Sequence, residues 1–133
     1  MRFLLDTNIC IYALKQHETV LRNLLARSRT DVAVSVITEG ELRTGAAKSA
    51  SAPKTLRLLE NFLRPLTVVE FLSPDAVAYA SIRATLERAG TPIGPLDTLI
   101  AAQAVSRKLV LVSNNEREFG RVPGLRIENW AAA

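Results

Sequence analysis

Three carboxylates carry the first chemical signal in this chain: Asp6 at the end of an apolar run, Glu41 in TEGELRTG, and Asp97 in PIGPLDT. A fourth polar group, Ser113-Asn114-Asn115, closes another apolar run, with Glu116 and Glu118 just beyond it. If three carboxylates point into one cleft about 5 Å apart, each pair costs about 3 kcal/mol at an effective dielectric of about 20. Only a cation relieves that repulsion. Carboxylate oxygens are hard ligands that suit Mg²⁺ or Mn²⁺, and with a single histidine, His17, and a single cysteine, Cys10, the chain is poorly equipped for zinc. Divalent ions held by acids acidify a water and offset charge growing on phosphorus, so acid clusters hydrolyse phosphodiesters without a histidine base. Three carboxylates leave a net negative charge around one ion, which predicts one tight ion and a second completed by substrate phosphate.

Taken singly, each acid also has a purely structural reading, because Asp and Glu are favoured at helix N-termini. Asp6 fits the N-cap of a helix, Thr38 and Glu41 fit the S/T-x-x-E capping box, and Asp97 fits a first-turn acid beside Pro95. What separates the two readings is whether the fold brings the acids together.

The elements that must do so are legible as alternating patterns. Residues 2–5, 31–35 and 108–113 are short Val- and Leu-rich runs closed by a polar residue, the form of buried parallel strands. Residues 66–72 give a fourth strand, and 125–129 a fifth at the edge. Helical patterns fill the gaps: 8–14, 18–26, 37–47, one opened by Pro53 with Leu56, Leu59 and Leu63 as its stripe, and one opened by Pro95 and running to about 107. A further helix has Ser73 as N-cap, Pro74 at its first position and Gly90 as stop. Residues 46–52 are small and polar, a bend that makes 37–64 a protruding helical hairpin. Strand and helix in alternation predict an α/β fold whose parallel sheet is covered on both faces, in one domain over 1–133. In such a sheet the strand carboxyl ends and the helix N-termini that follow share one side, where ligands bind. Asp6, Glu41, Asp97, Ser113 and Asn115 all fall there.

Composition sets the frame. With 133 residues, 48% hydrophobic and 23% charged, the chain is neither disordered nor low-complexity. Its single cysteine fits a reducing cytoplasm, no apolar run is long enough to cross a bilayer, and an acid at residue six interrupts any secretory segment. Seventeen Lys and Arg against thirteen Asp and Glu give +4, and the arginine bias suits a phosphate-bearing partner or equally a solvated surface. Gly40 and Gly45 have a phosphate-loop spacing but lack the following Lys and Ser/Thr. His17 reads as a surface turn, Cys10 as core, and Trp130 as an anchor for the C-terminus.

Four segments together resemble the PIN-domain ribonuclease toxins of the VapC type: LLDTNICIY at 4–12, SVITEGELRTGA at 35–46, PIGPLDTLIAAQA at 92–104 and LVSNNEREFGRVPGLRIENW at 111–130. The resemblance spans nearly the whole chain. It implies a PIN-like three-layer α/β/α fold with a central parallel sheet of four to five strands, and a Mg²⁺- or Mn²⁺-dependent endoribonuclease whose metal acids map to Asp6, Glu41 and Asp97. Many PIN domains place a fourth Asp in a T-N-D sequence where this chain has Ser113-Asn114-Asn115. Asn115 can orient the attacking water, and Glu118 can restore the missing charge. Asn8 and Ser113 can hydrogen-bond the acids or a ligated water. The resemblance further implies a tRNA or rRNA substrate, a toxin homodimer, and neutralisation by a VapB-type antitoxin whose tail lies along the helical hairpin and places an Arg or Lys among the acids. The ENW ending is similar to toxins that cut initiator tRNA. Two alternatives stand at this point: a catalytically weak PIN-like module that binds RNA or protein, and a DNA nuclease with the same metal site.

Overall fold

The computed structural model describes residues 1–132. In chain order the elements are β1 (Phe3–Leu5), α1 (Thr7–Leu14), α2 (Glu18–Leu25), a 3₁₀ turn (Arg29–Asp31), β2 (Val32–Ser35), α3 (Val36–Ala47), α4 (Ala52–Leu63), β3 (Thr67–Val69), α5 (Ser73–Arg88), α6 (Pro95–Arg107), β4 (Val110–Val112), α7 (Glu116–Phe119) and β5 (Ile127–Glu128). The five strands form one sheet in the order β3-β2-β1-β4-β5, every pairing parallel.

Period-two alternation splits the strand side chains between two cores. Phe3, Leu5, Val32 and Val34 face one way and pack with Ile9, Val20, Leu42, Leu59 and Leu63 of α1 to α4. Leu4, Ala33 and Leu111 face the other way, against Ile82 and Leu86 of α5 and Ile100, Ala101 and Ala104 of α6. The result is the three-layer arrangement expected, with β1 central and fully covered. From β1 the chain moves outward to β2 and β3, then returns to the other flank for β4 and β5. The strand order therefore reverses at β1, and such a switch point leaves a crevice at the strand carboxyl ends.

Several helix boundaries differ from the sequence expectation. Strand β2 runs into α3 without a loop, so Ser35 caps that helix through Ile37 N–H at 3.0 Å. Thr38 is therefore a buried residue inside the helix, and the Thr38/Glu41 capping box does not form. Helix α5 has Leu72, not Ser73, at its N-cap, and the Asp75 carboxylate accepts the Leu72 N–H at 2.8 Å. His17 does more than turn the chain: its Nδ1 accepts Val20 N–H at 3.3 Å and caps α2. The helical hairpin is half core, since Leu59 and Leu63 are buried while Leu58 is exposed. Cys10 is fully buried. Trp130 is buried edge-on against Phe3, ring centroids 5.2 Å apart, as an anchor should be.

Candidate active site

Asp6 emerges where β1 ends. Its Oδ1 accepts Ile9 N–H at 2.8 Å, so the capping reading is correct for this residue. Capping engages only one of the two carboxylate oxygens. The side chain is buried, and burial raises its pKa to about 6 despite the Ser113 hydroxyl and the Ile9 N–H, which favour the charged form. The charges of Asp97 and Glu41 push it further in the same direction, so the three acids are near enough to repel one another.

Glu41 sits in the second turn of α3, half-buried. Its Oε1 accepts the Thr7 hydroxyl at 2.7 Å, and Thr38 stands 3.1 Å from the same hydroxyl oxygen. Because Thr7 has one proton and gives it to Glu41, Thr38 is the donor in that second bond. Thr7 is a candidate site residue that sequence reading missed. Its only signal was its place directly after Asp6.

Asp97 lies in the first turn of α6, as its sequence position required. Burial raises its pKa, followed by the charges of Glu118 and Glu41. Glu118 is thus an electrostatic neighbour of Asp97, brought there by the short helix α7, which the sequence reading did not assign. Asn115 caps α7: its Oδ1 faces Glu118 N–H at 3.5 Å, while its Nδ2 donates to Glu118 Oε2 at 3.0 Å. Ser113 is fully buried, its hydroxyl oxygen accepting Asn115 N–H at 2.9 Å.

These residues open into one cavity of about 340 Å³, lined by Asp6, Thr7, Asn8, Ile11, Glu41, Asp97, Asn115 and Phe119. No Lys, Arg or His is in that lining. Among the described residues no three acid, His or Cys side chains are close enough together to close around an ion by themselves. The acids instead line a shared space from different elements, and their donor atoms are all hard oxygens. That set fits Mg²⁺ or Mn²⁺ in its charge and chemistry and offers nothing to a soft metal.

The matching family model is the PIN domain, over residues 3–125. The chain belongs to the PIN-domain family, among the VapC proteins. Two VapC relatives are the "tRNA(fMet)-specific endonuclease VapC" of Salmonella typhimurium, 42% identical over 98% of each chain, and that of Shigella flexneri, 40% identical over 98% of this chain and 99% of the other. A chain in the crystal structure of DNA-bound VapBC from Salmonella typhimurium superposes with a TM-score of 0.93, at 42% identity and 98% coverage of both chains. Asn115 stands where many PIN domains carry a fourth Asp. Here the structure joins it to Glu118.

Proposed function

We propose that this protein is a Mg²⁺- or Mn²⁺-dependent endoribonuclease toxin that cuts initiator tRNA and is silenced by a VapB-type antitoxin. The observation that carries the reading is the placement of Asp6, Glu41 and Asp97, from three separate elements, around one cavity at the sheet's switch point with no cation in its lining. The names of the relatives support the nuclease class and the substrate.

When bound, the divalent ion supplies a Lewis acid that lowers the pKa of water and offsets phosphate charge. Asp6, at the end of β1, Asp97, in the first turn of α6, and Glu41 would hold it. Thr7, by donating to Glu41 Oε1, restrains the orientation of that carboxylate. Glu118 supplies the fourth negative charge beside Asp97. Asn115 holds Glu118 in place through its amide, a better account of it than water orientation because its carbonyl is turned toward the α7 backbone. Asn8 lines the mouth as an exposed amide, and Ser113 steadies the Asp6 carboxylate from below.

A second groove of about 330 Å³ runs between α1, α3 and α4, lined by Ile11, Leu14, Leu42, Ala46, Leu58 and Leu59. Ile11 and Glu41 line both this groove and the acid cavity. An antitoxin segment seated there with apolar side chains can reach an Arg or Lys into the acids, in an assembly built on a toxin homodimer.

The test is cleavage of initiator tRNA by the purified protein in Mn²⁺. Cleavage should stop in EDTA and in Asp6→Asn and Asp97→Asn. Binding of RNA with no cleavage in either metal would replace the nuclease by a binding module.

A further inference from the structure

Next to Ile11 and Asn115 of the cavity lining stand groups that the proposed chemistry does not use. Tyr12 lies one turn further along α1, and Asn114 precedes Asn115 of the cavity wall. Asn114 Nδ2 donates to the Tyr12 hydroxyl oxygen at 3.2 Å. Asn114 Oδ1 accepts from Asn129 Nδ2 at 3.0 Å, and Asn129, just past β5, also donates to Glu116 Oε2 at 3.2 Å. Asn129 Oδ1 in turn accepts Ala131 N–H at 2.9 Å. The His17 ring stacks on Tyr12, centroids 5.2 Å apart at 25°. Because His17 Nδ1 accepts Val20 N–H, the neutral ring carries its proton on Nε2.

At its Tyr12 and Asn114 end the network leaves donors over, while its free acceptor, the second Glu116 oxygen, lies at the far end beside Asn129. The Tyr12 oxygen receives a proton from Asn114, so its own O–H points elsewhere. Asn114 keeps a second N–H, and His17 keeps Nε2–H. A Watson–Crick base edge always mixes donors with acceptors, whereas a phosphodiester offers acceptor oxygens alone at every nucleotide. Neutral donors also suit this place, because a lysine or arginine here would pair with the neighbouring carboxylates and compete with their ion.

We propose that Tyr12 and Asn114, braced by Asn129 and His17, hold the phosphate of a nucleotide next to the scissile bond. The proposal rests on the endonuclease reading and adds a substrate-positioning site to it. Tyr12→Phe keeps the ring and its stack on His17 and removes one donor. Hydrogen bonds to a charged group predict a loss of roughly tenfold for Tyr12→Phe or Asn114→Ala. It should appear in KM, with kcat changed less than about twofold.

The experiment is steady-state cleavage of a short RNA hairpin, with a methylphosphonate walked through the linkages on each side of the cut. At one flanking linkage the wild-type protein should show the same loss, and on that RNA Tyr12→Phe should cost nothing more. An unchanged KM in both variants overturns the proposal, as does a loss that follows base identity and persists on every methylphosphonate RNA. Fluorescence anisotropy of RNA binding in EDTA separates the two readings. A protein that binds but never cuts sinks the endonuclease, while the Tyr12→Phe effect on Kd still decides the phosphate site.

Discussion

The Thr7 hydroxyl donates to Glu41 Oε1 at 2.7 Å, across a sequence separation of 34 residues. That bond ties the start of α1 to the second turn of α3, and Thr38 closes the set from beneath at 3.1 Å. A carboxylate half-exposed on a helix would otherwise sample several rotamers at little cost. Groups that orient a metal-binding side chain are worth about 10- to 100-fold in affinity or activity when removed.

Thr7→Val keeps the shape and removes the donor. It is expected to lower kcat/KM at least about tenfold and to weaken Mn²⁺ binding, with little change in thermal stability. Thr7→Ser should restore most of both. Titration calorimetry with Mn²⁺ beside cleavage rates would check this, and equal Mn²⁺ affinity in Thr7→Val and the parent would refute it.

Asp6 couples function to a cost in stability. Its pKa is about 6 in the folded chain against an ordinary 3.8 for a free aspartate, so the folded state binds the proton more tightly than the unfolded chain does. Stability is then highest below about pH 4, falls as pH rises through 6, and is lower by about 3 kcal/mol above that. Asp6→Asn keeps an oxygen for Ile9 N–H and carries no charge. Urea denaturation in EDTA should therefore find Asp6→Asn more stable than the parent at pH 8 and equal to it near pH 3.5. Mn²⁺ should close the gap at pH 8 by stabilising the parent alone.

The Asn115 and Glu118 pair gives a separate prediction about the missing fourth Asp. If Asn115 acts through Glu118, then Glu118→Gln and Asn115→Ala should lower kcat by similar factors, and the double variant should be no worse than either. Independent action would make the two losses multiply. Asn115→Asp is expected to recover little, since two adjacent carboxylates would repel and the Asp cannot donate to Glu118 Oε2.

Much of this arrangement could be read from residue order. The apolar runs that became β1, β2 and β4 have one buried environment on each face, and Pro95 marked the start of α6, which fixed Asp97 at its N-terminal turn. Once the strands were parallel, three acids had to share one side. The parts that escaped depend on contacts distant in sequence. Ser35 and Thr38 each suit a cap, and only the direct passage of β2 into α3 selects Ser35. A four-residue helix such as α7 is too short for any periodic signal, so Glu118 could be named as a source of the missing charge while the helix that brings it beside Asp97 stayed unassigned. Thr7 has no local mark beyond its place after Asp6, because its partners lie on another element.

Trp130 closes the fold from the C-terminus. Its ring meets Phe3 edge-on and carries the Arg27 guanidinium 4.4 Å from its centroid, while its Nε1 donates to Glu128 at 3.0 Å. Trp130→Ala empties a site that is 2% exposed and should cost about 3–5 kcal/mol in urea denaturation. Trp130→Phe keeps the ring contact and should cost clearly less.

Leu58 separates neutralisation from catalysis. It is 53% exposed and lines the apolar groove beside Leu59, which is 2% exposed. A charge at Leu59 would unfold the hairpin, but Leu58→Glu leaves the core intact and keeps its carboxylate in water. An apolar antitoxin segment would have to bury that charge against its own side chains, a desolvation cost large enough to weaken binding at least tenfold. Leu58→Glu is therefore expected to cut RNA at the parent rate and to arrest growth even when the antitoxin is co-expressed. Full protection of those cells by the antitoxin would place its segment on some other face of the toxin.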